Sequence, residues 1–122
     1  MLARSPSTYI LVVDDESAVR DFLTVLLQSR GYGVRTASGA GEALDLFERE
    51  GPLIRLLLTD VLMPDVTGPA LVSRVLALRP TLPVLYMSGF PGEVPLAGPF
   101  PCLKKPFAVA ELIDHIDQSL AC

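Results

Sequence analysis

Along the chain, short apolar runs alternate with longer stretches in which apolar residues recur every three or four positions. The short runs predict buried strands and the longer stretches predict amphipathic helices. Their strict alternation predicts a parallel sheet covered by helices on both faces. The first run, Tyr9 to Val13, is rich in β-branched residues and stops at Asp14-Asp15-Glu16, so it predicts a central strand that delivers acids to its carboxyl end. Val19, Phe22, Leu23, Leu26 and Leu27 then form the apolar face of a helix, with Ser17 as its N-cap and Gly31 as its stop. Tyr32 to Ala37 predicts a less hydrophobic strand near the sheet edge. Ser38 is placed to cap a helix whose inner face is Ala43, Leu44 and Phe47, and Gly51-Pro52 ends it.

A third strand, Ile54 to Thr59, ends in Asp60, and a loop punctuated by Pro64 and Gly68 follows. Pro69 suits the first turn of a helix carrying Leu71, Val72, Val75 and Leu76, which closes before Pro80. Pro83 to Met87 predicts a fourth strand leading to Ser88-Gly89, and a short fifth strand around Cys102-Leu103-Lys104 leads to Lys105-Pro106. The last helix is expected to bury Val109, Leu112, Ile113, Ile116 and Leu120. Between the fourth and fifth strands stand Pro91, Pro95, Pro99 and Pro101, with Gly92 and Gly98. Each interior proline costs an ordinary helix about 3 kcal/mol, so a helix here is expected to be shortened or replaced by loop. The pattern as a whole predicts an α/β fold with a single doubly wound, five-stranded parallel sheet over residues 9–122, preceded by a flexible segment at residues 1–8.

Composition narrows the function. The 122 residues are half hydrophobic and one fifth charged, which suits one globular domain. A formal charge of -4, with Lys and Arg scattered, argues against direct nucleic-acid binding. No apolar stretch approaches the roughly 20 residues that span a bilayer, and the start lacks a basic segment followed by an apolar one. A cytoplasmic protein without membrane insertion is expected. Cys102 and Cys122 lack C-x-x-C spacing and are read as free thiols.

In open α/β sheets ligands bind outside the carboxyl ends of the strands. There the first strand brings Asp14 and Asp15, the third Asp60, the fourth Ser88 and the fifth Lys105. Carboxylates at close quarters repel one another unless a cation joins them, and hard oxygen ligands without Cys or His favour Mg²⁺. An ionised aspartate needs no general base to attack phosphorus, while a lysine, a hydroxyl and a metal can hold the equatorial oxygens of a transferring group. Parts for acyl transfer are missing: there is no G-x-S-x-G, and His115 falls on the polar face of the last helix. Lys104 alternates away from the site and is read as a surface charge. Met63 is read as packing, since thioether sulfur is a poor partner for Mg²⁺.

V-V-D-D-E at 12–16, T-D-V-L-M-P-D-V-T-G at 59–68, Y-M-S-G at 86–89 and K-P-F at 105–107, in this order and spacing, resemble the receiver domain of two-component response regulators from Tyr9 to Leu120. The resemblance implies a flavodoxin-like arrangement with Asp60 as phosphoacceptor. It implies a Mg²⁺ site from Asp14, Asp15, Asp60 and the backbone carbonyl of Leu62, with Ser88 and Lys105 on the phosphoryl group. It implies a phosphohistidine donor on a sensor histidine kinase or a histidine phosphotransfer domain. The chain departs from the family at Cys102, where many receivers carry the Tyr or Phe that turns inward as the fourth-strand hydroxyl moves, so Ser88 and Cys102 mark the switch region. The proline-rich connection resembles that of receiver modules in hybrid sensor kinases, and it leaves oligomeric state open because the family often dimerises through the helix normally found there. Leu62 and Phe90 are apolar neighbours of the acceptor and are expected to slow hydrolysis of an aspartyl phosphate. Two other readings are a receiver-like interaction module that takes no phosphate, and a Mg²⁺-dependent phosphatase with an Asp nucleophile.

Overall fold

A computed structural model describes residues 8–90, 92 and 94–120. Its strands are β1 (Tyr9–Val13), β2 (Gly33–Ala37), β3 (Ile54–Asp60), β4 (Val84–Ser88) and β5 (Cys102–Lys104). The helices are α1 (Ser17–Ser29), α2 (Ala40–Glu50), α3 (Gly68–Leu78) and α4 (Val109–Leu120), and a single 3-10 turn (Gly51–Leu53) precedes β3. All strands pair in parallel in the order β2-β1-β3-β4-β5. The winding therefore reverses between β1 and β3, and the carboxyl ends of those two strands flank the crevice where such sheets bind ligands. Asp14 directly follows β1 and Asp60 is the last residue of β3, so the topology itself brings the acids together.

Alternate residues of each strand feed two apolar layers. Tyr9, Leu11, Val13, Leu57 and Tyr86 meet Ala43 and Phe47 of α2 and Leu71, Val72 and Val75 of α3. Ile10, Val12, Leu56, Leu58 and Met87 meet Leu23 and Leu27 of α1 and Leu112, Ile113 and Ile116 of α4. β1 is buried along its whole length, as a central parallel strand must be, and in the edge strand β2 only Val34 and Ala37 are buried. Met63 is buried in the α2–α3 layer and Lys104 is exposed, as their reading required.

Several local expectations change. Ser17 is the first residue of α1 and not its cap: Glu16 occupies the cap position and makes no side-chain cap bond. At the other end Gly31 adopts φ +89°, and the N–H groups of Gly31 and Tyr32 donate to the carbonyls of Gln28 and Leu27, closing the helix. Ser38 does not cap α2 either. Gly39 holds that position, and the Ala40 N–H is satisfied by the Asp65 carboxylate at 3.2 Å, reaching over from the β3–α3 loop. Phe22 is 52% exposed, because the buried stripe of α1 centres on Leu23 and Leu27 and Phe22 lies a full 100° step to one side of it. Val109 is likewise exposed; in the first turn of α4 it precedes Leu112, where burial begins. Thr67 caps α3 by accepting from the Ala70 N–H at 3.3 Å, and Pro69 sits in its first turn.

Between β4 and β5 the described residues contain no helix, in line with their prolines. Among the described residues no helix is long and apolar enough to cross a membrane. Cys102 is a free thiol. Cys122 and the start at residues 1–7 lie outside the described residues.

Candidate functional site

Asp14 is fully buried yet carries full hydrogen bonding. Its Oδ1 accepts from the Glu16 N–H at 2.9 Å, and its Oδ2 accepts from the Lys105 ammonium at 2.8 Å. Its backbone is fixed as well: the Asp14 N–H donates to the Ala37 carbonyl at 3.1 Å, and the Arg20 guanidinium donates to the Asp14 carbonyl at 2.6 Å. Lys105 also stands 3.5 Å from Asp60 Oδ2. It arrives there because the Lys105 N–H donates to the Ser88 carbonyl at 2.8 Å, extending the β4–β5 ladder by one residue. Asp15 projects into solvent beside this pair, and one carboxylate oxygen from each of Asp14, Asp15 and Asp60 lies within 4.8 Å of the others.

Charge follows from this placement. Burial pushes the Asp60 carboxyl above its ordinary range, and the charge of Asp14 adds to the effect against the counter-pull of Lys105. For Lys105, burial works to depress the ammonium, but the hydrogen bond and charge of Asp14, joined by Asp60, outweigh it and leave the group above its ordinary value. Lys105 is thus a fixed cation that only partly balances three acids. The excess negative charge and the all-oxygen donor set fit a hard divalent cation such as Mg²⁺, which takes one or two carboxylates and keeps several waters.

The cleft above Asp60 is lined by Asp15, Glu16, Leu62, Ser88, Gly89, Phe90 and Lys105. Of the strand-end residues expected at the site, Asp15, Asp60, Ser88 and Lys105 line this cleft, and Asp14 lies buried beside it, with a carboxylate oxygen within 4.8 Å of those of Asp15 and Asp60. Ser88 is buried at the end of β4, and its Oγ accepts from the Phe90 N–H at 3.0 Å. Leu62 and Phe90 are 38% and 65% exposed, so they rim the cleft and do not roof it, a weaker cover than their apolar character suggests. Cys102 is not at the cleft. It is half-buried on β5 beside Tyr86 of β4, and burial, followed by the charge of Asp60, pushes its thiol up. His115 sits on α4 with Glu111, Asp114 and Gln118, a separate surface.

Four residues that shape the site carry no chemistry legible from their type alone. Gly68 packs against Asp60 so closely that a Cβ would lie 2.2 Å from the Asp60 carbonyl oxygen, and its N–H donates to the Val61 carbonyl at 2.8 Å. Asp65 clips the tip of the same loop to α2. Arg20 holds the Asp14 backbone from α1. Tyr86, fully buried, bonds through its hydroxyl to the backbone of Ala97. Of these only Tyr86 gave a usable sign, since a tyrosine inside a buried strand needs a partner for its hydroxyl.

Residues 10–117 match the family model described as response regulator receiver domain. Among curated proteins, the sensor kinase CckA of Brucella abortus is 34% identical over 95% of this chain, which spans 13% of that protein. The transcriptional regulatory protein FixJ of Bradyrhizobium diazoefficiens is 36% identical over 92% of this chain and 56% of its own length. The chain thus spans less than two thirds of the length of these curated relatives. Among solved structures, the receiver domain of the hybrid histidine kinase CckA superposes with a TM-score of 0.81 at 36% identity, covering 92% of this chain and 98% of that one. A putative response regulator from Chloroflexus aurantiacus gives a TM-score of 0.84 at 33% identity, covering 96% of this chain and all of that one.

Proposed function

The chain belongs to the response regulator receiver domain family of two-component systems, and from that premise we propose that residues 9–122 act as a phosphoacceptor switch in which Asp60 takes a phosphoryl group from a phosphohistidine. The observation that carries this reading is the Lys105 ammonium, 2.8 Å from Asp14 and 3.5 Å from Asp60, one cation set against three convergent carboxylates. An Asp60 carboxylate oxygen forms the new O–P bond as the P–N bond of the phosphohistidine breaks, and the electron pair returns to the imidazole nitrogen of the donor. Lys105 and the Ser88 hydroxyl each hold an oxygen of the transferring group. Asp14, Asp15, Asp60 and the Leu62 carbonyl would hold Mg²⁺, which when bound neutralises charge that builds on the phosphoryl oxygens. Burial also limits the water around the Asp60 carboxyl.

The donor is proposed to be a sensor histidine kinase or a histidine phosphotransfer domain. An exposed apolar groove formed by Ala18, Val19, Phe22, Pro106 and Phe107 has Lys105 at its edge, so a partner seated there presents its histidine toward the acceptor cleft. The exposure of Phe22 supports this placement, since it leaves a large aromatic surface for a partner to bury. Incubation with Mg²⁺ and a small-molecule phosphodonor is expected to add one phosphoryl group by intact mass, with none added in EDTA. No uptake would favour an interaction module, and steady phosphate release from unrelated esters would favour a phosphatase.

The apolar rim sets the lifetime of the product. Leu62 and Phe90 offer an attacking water no hydrogen-bond partner, so Leu62→Asn or Phe90→Glu is expected to shorten the phosphoryl half-life several-fold. A half-life unchanged in both variants would show that the rim does not control water.

A further inference from the structure

Two hydroxyl groups on one face of β4 hold the start and the middle of the β4–β5 connection. Residues 86 and 88 share that face because side chains alternate along a strand. The Ser88 Oγ accepts from the Phe90 N–H at 3.0 Å. The Tyr86 hydroxyl donates to the Ala97 carbonyl at 2.8 Å and accepts from the Ala97 N–H at 3.2 Å, so one phenol satisfies both backbone groups of a residue in a segment without secondary structure. Tyr86 is fully buried, and burial raises its phenol further above neutral pH, so the hydroxyl stays a donor.

The segment it grips is built to fit. Val94, Ala97, Phe100 and Cys102 pack against the same apolar layer as Tyr86. Gly98 has φ +74°, and the Phe100 ring lies 2.5 Å from where a Cβ would be, so the chain folds back tightly just after the gripped residue. On the neighbouring strand the partner of Tyr86 in register is Cys102, whose small side chain leaves this part of the sheet face to the Tyr86 ring.

We propose that Tyr86 is the coupling residue of this domain: it carries a change at Ser88 into residues 94–100, the work that an aromatic side chain at position 102 does elsewhere in the family. The inference rests on Asp60 being the phosphoacceptor. When the Ser88 hydroxyl turns to a phosphoryl oxygen on Asp60, its hold on the Phe90 N–H is released and the end of β4 shifts. Tyr86, two residues away on the same face, then loosens its grip on Ala97. Residues 94–100 thereby have two arrangements, and the state of Asp60 biases the choice between them.

The test compares wild type with Tyr86→Phe, which keeps the ring and its packing and removes only the hydroxyl. Both are treated with Mg²⁺ and a small-molecule phosphodonor, uptake is confirmed by intact mass, and amide exchange at Ala97 is read by NMR. In the wild type, phosphorylation is expected to speed exchange at Ala97 at least tenfold. In Tyr86→Phe the amide is expected to exchange at least tenfold faster before phosphorylation, with less than a twofold further change, while the Leu57 and Leu58 amides of β3 stay as protected as in the wild type. Uptake with no change at Ala97 in the wild type would overturn the coupling and leave the acceptor assignment standing, as would a Tyr86→Phe protein that responds like the wild type. Absence of uptake in the wild type would overturn both.

Discussion

With divalent cations chelated at neutral pH, Asp60→Asn protein is expected to melt higher than the parent. The sign follows from the environment of the carboxyl. Burial, aided by Asp14, raises the folded-state pKa of Asp60 even though Lys105 opposes it. A carboxyl that titrates higher in the folded state than in the unfolded state penalises folding when ionised. The penalty is fully present above the folded pKa and fades as pH falls through it toward the unfolded value of about 3.9. Asparagine has nearly the same shape without the charge, so it removes the penalty at neutral pH and gives little benefit in acid. Mg²⁺ should reverse the order, since the parent offers the cation three carboxylates and the variant two. Thermal melts of both proteins at pH 7 and pH 4, with EDTA and with Mg²⁺, check the sign in each corner. A less stable variant in EDTA would mean that the attraction of Lys105, 3.5 Å away, outweighs burial and repulsion together.

Gly68→Ala is expected to be the most disruptive small substitution near the site, with a loss on the order of 3 kcal/mol and a fall of roughly 10 °C in Tm. The added methyl would meet the Asp60 carbonyl oxygen at 2.2 Å and the Val61 Cα at 3.1 Å, both backbone atoms that cannot swing aside. Relief requires the β3–α3 loop to part from the end of β3. That breaks the bond from the Gly68 N–H to the Val61 carbonyl and displaces Leu62, whose carbonyl is proposed to hold the cation. Mg²⁺ affinity should therefore fall by more than the stability loss alone would cause, and calorimetric titration of the folded variant below its Tm separates the two effects. Gly41, whose Cβ position faces open space, is the control: Gly41→Ala lies inside α2 and should be neutral or stabilising.

The sheet was legible because β1, β3 and β4 are largely apolar runs. Tyr9–Val13 is bounded in the structure where its composition changes in the sequence, at Asp14. The convergence of Asp14, Asp15, Asp60, Ser88 and Lys105 follows from the same feature, since each stands at or just past the carboxyl end of a strand and parallel strands align those ends. What sequence could not show depends on partners far apart in the chain. Ser38 has the chemistry of a helix cap, but the N–H groups at the start of α2 turn to Asp65, 25 residues away from Ala40. Phe22 looked like a core residue because a three-and-four spacing does not fix how wide the buried stripe is. The path of residues 94–100 was invisible for a different reason: a proline-rich segment has no period, so nothing local marks Ala97 as the residue that Tyr86 holds. The departure at Cys102 was plain from its position, whereas the neighbouring aromatic on β4 that fills the same face appeared only once β4 and β5 were paired.

The central claim is the identity of the acceptor, and reductive mapping tests it most directly. Wild-type protein treated with Mg²⁺ and a small-molecule phosphodonor is reduced with borohydride, which converts an aspartyl phosphate to homoserine, and peptides covering the whole chain, among them the one from Leu56 to Arg74, are sequenced by mass spectrometry. Homoserine at position 60, absent without Mg²⁺ and absent in Asp60→Asn, is the expected result. Homoserine at Asp14, Asp15 or Asp65 with Asp60 unmodified would contradict the assignment, as would a protein that is never reduced at any aspartate.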